Sequence, residues 1–353
     1  MNFNPTSLLL DRVADAFSGK VLFANPDDTY PLELRQRAEV SAWCQSKVTF
    51  DDLVKGGFDE SHIEFNAIWT QPTLETFDHI ILIQPKAKEL LDYLIAATMP
   101  HLKIGGKIWL VGDNKSGVKS SYKRLEKHAV MAGKVDGAKH CLVYNASKEV
   151  ATPAFKFEKW VTTWTQTVAG QTFNLCSIPG VFGHKKLDKG TALLLEQLSE
   201  HRFMSDAQHA RFLDFGCGDG IIALWLHNKT GAKVTALDES ALALKATELT
   251  FAANNVSDYL TTLGSNGLEN VKGRFNYIVT NPPFHTGMAT DYSVAEGFFA
   301  SVKQHLTLNG ELFVVANDFL RYPDFIDAAL GTHTRLQRAQ GFAIYYGKQK
   351  KPK

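Results

Sequence analysis

The sequence predicts an α/β protein of two tandem, doubly wound, Rossmann-like domains, the first a degenerate copy of the second. Three observations carry this. Phe212-Leu213-Asp214-Phe215 is an apolar strand that runs into Gly216-Cys217-Gly218-Asp219-Gly220. Tyr277-Ile278-Val279-Thr280 is a second apolar strand, and it stops at Asn281-Pro282-Pro283-Phe284. Residues Phe77 to Lys86 can be laid over Phe275 to Phe284 without a gap, and Gly105 to Val111 then matches Asn309 to Val315. Such self-similarity marks an internal duplication.

The turn at Asn281 comes first. Two consecutive prolines have no N–H to give a sheet ladder, so the strand ends there in a stiff turn. Open α/β sheets bind their ligands at the carboxyl ends of strands. Unpaired carbonyls, the Asn281 amide and the Phe284 ring suit a planar, NH2-bearing group. A proline-rich loop that merely ends a strand fits the same four residues.

The glycine turn argues against that plainer reading. Gly216, Gly218 and Gly220 open backbone angles closed to other residues and let a ligand approach the main chain. The helical run Ile221 to His227 behind them presents an amino terminus that favours a carboxylate. The next strand, Lys233 to Leu237, ends in Asp238-Glu239, an acid placed to accept from both hydroxyls of a ribose. A nucleoside-cofactor pocket follows. Its spacing is G-x-G-x-G rather than the dinucleotide G-x-G-x-x-G, and no P-loop Gly-Lys-Ser/Thr is present. The Asp-x-Gly-x-Gly-x-Gly form resembles the S-adenosyl-L-methionine site of Rossmann-like methyltransferases.

The other elements fall into order. Helices are expected over Ser240 to Asn254, Tyr292 to Leu306 and Tyr322 to Leu330. Strands are expected over Tyr259 to Leu263, Glu311 to Ala316, Arg335 to Gly341 and Ala343 to Gly347, the last two an antiparallel hairpin. In the first half, the strand Lys20 to Ala24 enters a turn with no glycine cluster, and a helix spans Ala87 to Met99. Ile83 stands for the asparagine and Lys86 for the ring. The first copy is therefore expected to have lost cofactor and chemistry, keeping RNA grip, shielding or chaperoning of the second. Ala151 to Gln171 reads as a polar connector without a clear period. The expected domains are residues 1–165 and 166–353.

Composition narrows the class. A chain of 353 residues with 44% apolar residues can fill two cores. No apolar run approaches twenty residues and no leader-like start is seen, which points to the cytoplasm and away from a membrane. Cys44, Cys141, Cys176 and Cys217 show no paired spacing, and the twelve histidines form no metal pattern. Cys217 reads as a small packing residue. The net charge of +1 is not that of a general nucleic-acid binder. The positive charge is nonetheless clumped, at Lys115, Lys119, Lys123, Arg124, Lys127 and His128, at His184 to Lys189, and in the tail Lys348 to Lys353. Such runs are ordinary solvated surface, or together a phosphate-contacting footprint.

The carboxyl half resembles the RsmC family, the 16S ribosomal RNA guanine-N2 methyltransferases acting on guanosine 1207. The resemblance rests on Pro179-Gly180-Val181-Phe182, Leu187-Asp188-Lys189-Gly190-Thr191, the glycine turn, Val271 to Phe275, Asn281 to Met288 and Gly310-Glu311-Leu312. It spans about residues 172 to 347. It implies two class I methyltransferase domains, with Asp214, Phe215, Gly216, Gly218, Gly220 and Asp238 holding the cofactor. Gly190-Thr191 would close over its methionine end and Asn281 would stand beside it. Asn266 would lie at the adenine, though an ordinary turn asparagine fits there equally. Asn281, Pro282 and Phe284 would serve the catalysis. Asn276 departs from the family, where aspartate is commoner. The implied partners are 16S ribosomal RNA and the 30S subunit, with no metal and a monomeric chain. The remaining readings are a 23S ribosomal RNA guanine-N2 methyltransferase, an adenine-N6 or glutamine methyltransferase, and a non-catalytic RNA-binding assembly factor.

Overall fold

The computed structural model describes residues 3–71, 73–128, 130–282 and 293–350. The chain divides into two compact units, Met1–Val161 and Thr162–Lys353.

The first unit holds β1 (Lys20–Ala24), β2 (Glu39–Cys44), β3 (Ile63–Phe65), β4 (Phe77–Ile83), β5 (Leu102–Asp113), β6 (Val130–Ala138) and β7 (Cys141–Ser147). The second opens with β8 (Thr162–Val168) and β9 (Gln171–Ser177), then β10 (Phe212–Phe215), β11 (Val234–Asp238), β12 (Leu260–Gly264), β13 (Phe275–Thr280), β14 (Leu306–Asn317), β15 (Thr334–Ala339) and β16 (Phe342–Lys348).

The duplication is written in the topology. One sheet runs β3-β2-β1-β4-β5-β7-β6 and the other β12-β11-β10-β13-β14-β16-β15. The first five strands of each order are parallel and the last pairings antiparallel. Even the irregularities repeat. The β4–β5 register shifts between Phe77 and His79, and the β13–β14 register between Phe275 and Tyr277. Asp78 Oδ2 accepts from the Lys20 amide at 2.8 Å, and Asn276 Oδ1 accepts from the Arg211 amide at 2.9 Å. Asn276 thus does the same acceptor work in the second copy that Asp78 does in the first.

Two elements differ from expectation. The connector Ala151 to Gln171 contains β8, which forms a two-stranded antiparallel hairpin with β9. Its burial alternates residue by residue, but the side chains are mostly threonines, so no apolar period betrays it. Thr250 holds β9 by accepting from the Cys176 amide at 2.9 Å. The helix Ala241–Ala253 lies between hairpin and sheet, which is why its apolar residues do not form a single stripe. The fifth strand, expected over Glu311 to Ala316, is β14 and begins at Leu306. Its added residues, Leu306 to Gly310, carry the register shift against β13, and Asn309 there adopts φ 64°.

The decay of the first copy also has a physical form. The turn after β1 is Asn25-Pro26-Asp27-Asp28, and Asn25 adopts φ 55° without being glycine. The start of the helix Pro5–Asp11 closes over it. The Asn4 amide and the Ser7 hydroxyl donate to Asp28 at 2.7 and 2.8 Å, and the Thr6 hydroxyl donates to Asp27 at 3.2 Å. Polar side chains of the chain itself satisfy this turn.

Candidate active site

The site grows from two adjacent strand ends. In the parallel β10–β13 register, Phe215 faces Thr280. The residues just beyond are Gly216 and Asn281. Two signals distant in sequence therefore meet because the strands that carry them are neighbours. The Thr280 hydroxyl donates to the Phe215 carbonyl at 2.7 Å and ties the ends together.

The glycine turn requires its glycines. Gly216, Gly218 and Gly220 have φ of 76°, 55° and 83°, in the left-handed region. A Cβ on Gly220 would also stand 2.8 Å from the Thr247 methyl. The Gly216 and Cys217 amides both donate to the Leu237 carbonyl, at 2.8 and 3.0 Å, which pins the turn to the end of β11. Cys217 is buried and accepts from the Thr247 hydroxyl at 3.3 Å. Burial pushes its thiol well above the ordinary range, so it packs rather than attacks.

Three acids surround the turn. Asp214 is fully buried, and burial pushes its carboxyl up to about 8, against the bond from the Ala223 amide at 3.0 Å. Its other oxygen is buried with no hydrogen-bond partner among the described residues. Asp219 is raised by burial to about 7, and Asp238 by burial to about 6. Asp238 accepts from the Gly218 amide at 3.1 Å and the Ser240 amide at 2.9 Å, one on each oxygen.

This set of acceptors fits S-adenosylmethionine. The unpartnered Asp214 oxygen and the raised carboxyls of Asp219 and Asp238 favour cationic or N–H donors; of the three, Asp219 is the one that lines the cleft beside the turn. Asp238 retains lone pairs for hydroxyl donors. Among the described residues, no group of three or more His, Cys, Asp or Glu could hold a metal ion.

A cleft runs from the turn to Asn281. It is lined by Phe182, Lys186, Asp188, Thr191, Gly216 to Asp219 and Asn281, among others. Asp188 caps the helix Lys189–Ser199 and accepts from the Thr191 amide at 2.9 Å. Gly190 is buried with no room for a side chain, since a Cβ would come within 2.9 Å of the Phe342 ring. Asn281 Nδ2 donates to Asp188 Oδ2 at 3.1 Å and to Thr191 Oγ1 at 2.9 Å. Pro282 is buried beside it. Asn266 follows β12 on the same edge of the sheet and donates to Glu269 at 3.4 Å, but it does not line this cleft. Pro283 and Phe284 lie outside the described residues.

Sequence reasoning singled out neither Asp219 nor the Asp188 carboxylate. Asp188 carries a readable signal, an acid three residues ahead of a threonine at a helix start. Asp219 carries none, because its burial is a tertiary property.

A glycine turn after β10, an acid at the end of β11 on one flank and an Asn-Pro turn after β13 on the other define a class I methyltransferase. A family model described as "Methyltransferase small domain" matches residues 172–346, and one described as "Methyltransferase small domain N-terminal" matches 7–164. A Marinomonas protein named ribosomal RNA small subunit methyltransferase C is 66% identical over the full length of both chains. The Acinetobacter baumannii (strain AYE) protein of that name is 35% identical, covering 97% of this chain and 99% of its own. The chain belongs to the ribosomal RNA small subunit methyltransferase C family. A solved Thermus thermophilus 16S rRNA N2 G1207 methyltransferase, in complex with AdoMet and guanosine, shares the fold at a TM-score of 0.86. It is 24% identical and the match covers 98% of this chain and 92% of that one.

Proposed function

We propose that this chain methylates the exocyclic N2 amine of a guanine in 16S ribosomal RNA, the guanosine 1207 position, with S-adenosylmethionine as donor. The observation that carries the reading is the Asn281 amide standing one residue beyond a strand that adjoins the glycine turn. Family membership and the guanosine held by the Thermus protein support it.

Guanine N2 is a poor nucleophile, because its lone pair is delocalised into the ring. Two acceptors, Asn281 Oδ1 and the Pro282 carbonyl, bind its hydrogens and favour a tetrahedral nitrogen as attack begins. Phe284 stacks on the base, a contact worth about 1–3 kcal/mol once the base is out of its helix. The bound cofactor supplies a methyl group already activated by its sulfonium. Asp214 and Asp238 hold the donor, so that positioning supplies most of the rate. No covalent intermediate on the protein is required.

The first unit supplies RNA contact. The rings of Tyr122 and Tyr144 stack at 4.8 Å and line a shallow depression with Lys119 and Lys134. Both lysines are exposed, and neither pairs with an acid among the described residues. Arg124 of the expected basic run is instead paired with Asp92, and Lys348 of the tail with Glu311 at 3.2 Å. No helix among the described residues is long and apolar enough to cross a membrane. The working form is a cytoplasmic monomer that meets its RNA in the 30S subunit or a precursor of it.

The test is labelled methyl transfer to ribosomal RNA from a strain lacking this gene, with the modified nucleotide mapped. Label on N2 of a 16S guanine is expected. Label in 23S RNA, or none despite measured cofactor binding, overturns the reading.

A further inference from the structure

We propose that Asp188 and Thr191 are positioning residues that fix which end of the Asn281 amide meets the target base. The inference rests on the functional reading above.

An amide has two ends of nearly equal size, and only one is useful here. A base amine donates N–H, so it needs the Asn281 oxygen; an NH2 group in that place would repel it. The choice is made by the partners on the other side. Asp188 Oδ2 and Thr191 Oγ1 take the two N–H groups of Asn281, at 3.1 and 2.9 Å. An ionised carboxylate has no proton to give, so the end facing Asp188 must be the nitrogen. With both N–H groups taken, Oδ1 is directed away from Asp188 and Thr191.

The holders are themselves held. Asp188 Oδ2 also accepts from the Thr191 amide at 2.9 Å, as the cap of the helix Lys189–Ser199. That places both acceptors on one rigid helical turn. The intervening Gly190 is what lets the turn sit so close: a Cβ there would lie 3.0 Å from Asp188 Oδ2 and 2.9 Å from Phe342. Asp188, Thr191 and Asn281 all line the cleft that contains the glycine turn. The amide is thus oriented before any base arrives, which removes a reorganisation step from the reaction.

Reciprocal exchange tests this. Asp188→Asn keeps the cap and the shape but admits both amide orientations. We expect turnover to fall roughly 10–100-fold, with cofactor affinity within about threefold of the parent. Asn281→Asp sets two carboxylates face to face and should lose on the order of 100-fold or more. In the double variant Asp188→Asn with Asn281→Asp, the new amide at 188 donates to the new carboxylate at 281, and an acceptor again faces the base. It should recover at least about tenfold over Asn281→Asp alone. Thr191→Ser should retain activity that Thr191→Val loses. Additive losses in the double variant overturn the proposal. So does a turnover loss in Asp188→Asn fully matched by weakened cofactor binding, or no loss at all. Failure of the parent enzyme to methylate 16S RNA would instead overturn the functional reading.

Discussion

The hydroxyl of Thr280 donates to the carbonyl of Phe215 at 2.7 Å, a buried bond that locks together the two strand ends carrying the glycine turn and the Asn-Pro turn. The two turns are thus tied by this side-chain hydrogen bond in addition to the β10–β13 ladder. Thr280→Val keeps the shape and leaves that carbonyl without its partner. We expect a loss of about 1–3 kcal/mol in denaturant unfolding, together with reduced turnover.

Asn281→Ala removes the side-chain acceptor proposed for the base amine while leaving the glycine turn untouched. Turnover should fall on the order of 100-fold or more, with cofactor affinity nearly unchanged. Equilibrium cofactor titration beside single-turnover methylation separates the two effects. Undiminished single-turnover rates would remove Asn281 from the chemistry.

Cofactor binding should depend on pH. Asp214, Asp219 and Asp238 are raised by burial to about 8, 7 and 6. Their contribution to stability is complete below the ordinary carboxylate range and is lost as pH rises through about 6 to 8, because the fold must then carry buried charge. A cationic ligand favours the ionised forms. Affinity should therefore strengthen from pH 6 to 8, with protons released on binding. Calorimetry at pH 6.5 in buffers of different ionisation enthalpy measures the release, and proton uptake would contradict it. Asp214→Asn should reduce both the release and the affinity.

Gly220→Ala should destabilise the second unit by about 1–3 kcal/mol. The residue sits at φ 83°, and a Cβ would meet the Thr247 methyl at 2.8 Å. Chemical denaturation of the variant reads the loss directly, and unchanged stability would contradict the close contact.

Reversing the two exposed cations that line the Tyr122–Tyr144 depression, Lys119→Glu with Lys134→Glu, should weaken binding to 16S RNA. It should also lower the slope of log affinity against log salt by about 2. Cofactor affinity should stay the same. An unaltered salt slope would move the RNA-binding face elsewhere.

Much of the fold was legible because its signals are local. Glycines at Gly216, Gly218 and Gly220 announce positive φ, and prolines at Pro282 and Pro283 announce a strand's end, whatever surrounds them. The repeat was legible because Phe77 to Ile83 and Phe275 to Thr280 keep the same strand and bulge. The β8 hairpin strand was not, since its alternating threonines show no apolar face. Nor was the closure of the decayed turn by Asn4, Thr6 and Ser7, which depends on side chains some twenty residues away.

The sequence by itself determined the class of fold, the glycine turn, and the copy that keeps that turn. Each of these is encoded in contiguous residues whose backbone options are few. The tertiary structure decided how the site is set. Asp214, Asp219 and Asp238 have raised carboxyls because packing removes water from them. Asn281 presents an oxygen because Asp188 and Thr191, about ninety residues earlier, claim its nitrogen. Burial and distant hydrogen bonds are properties of assembled neighbours, and no contiguous stretch of residues contains them.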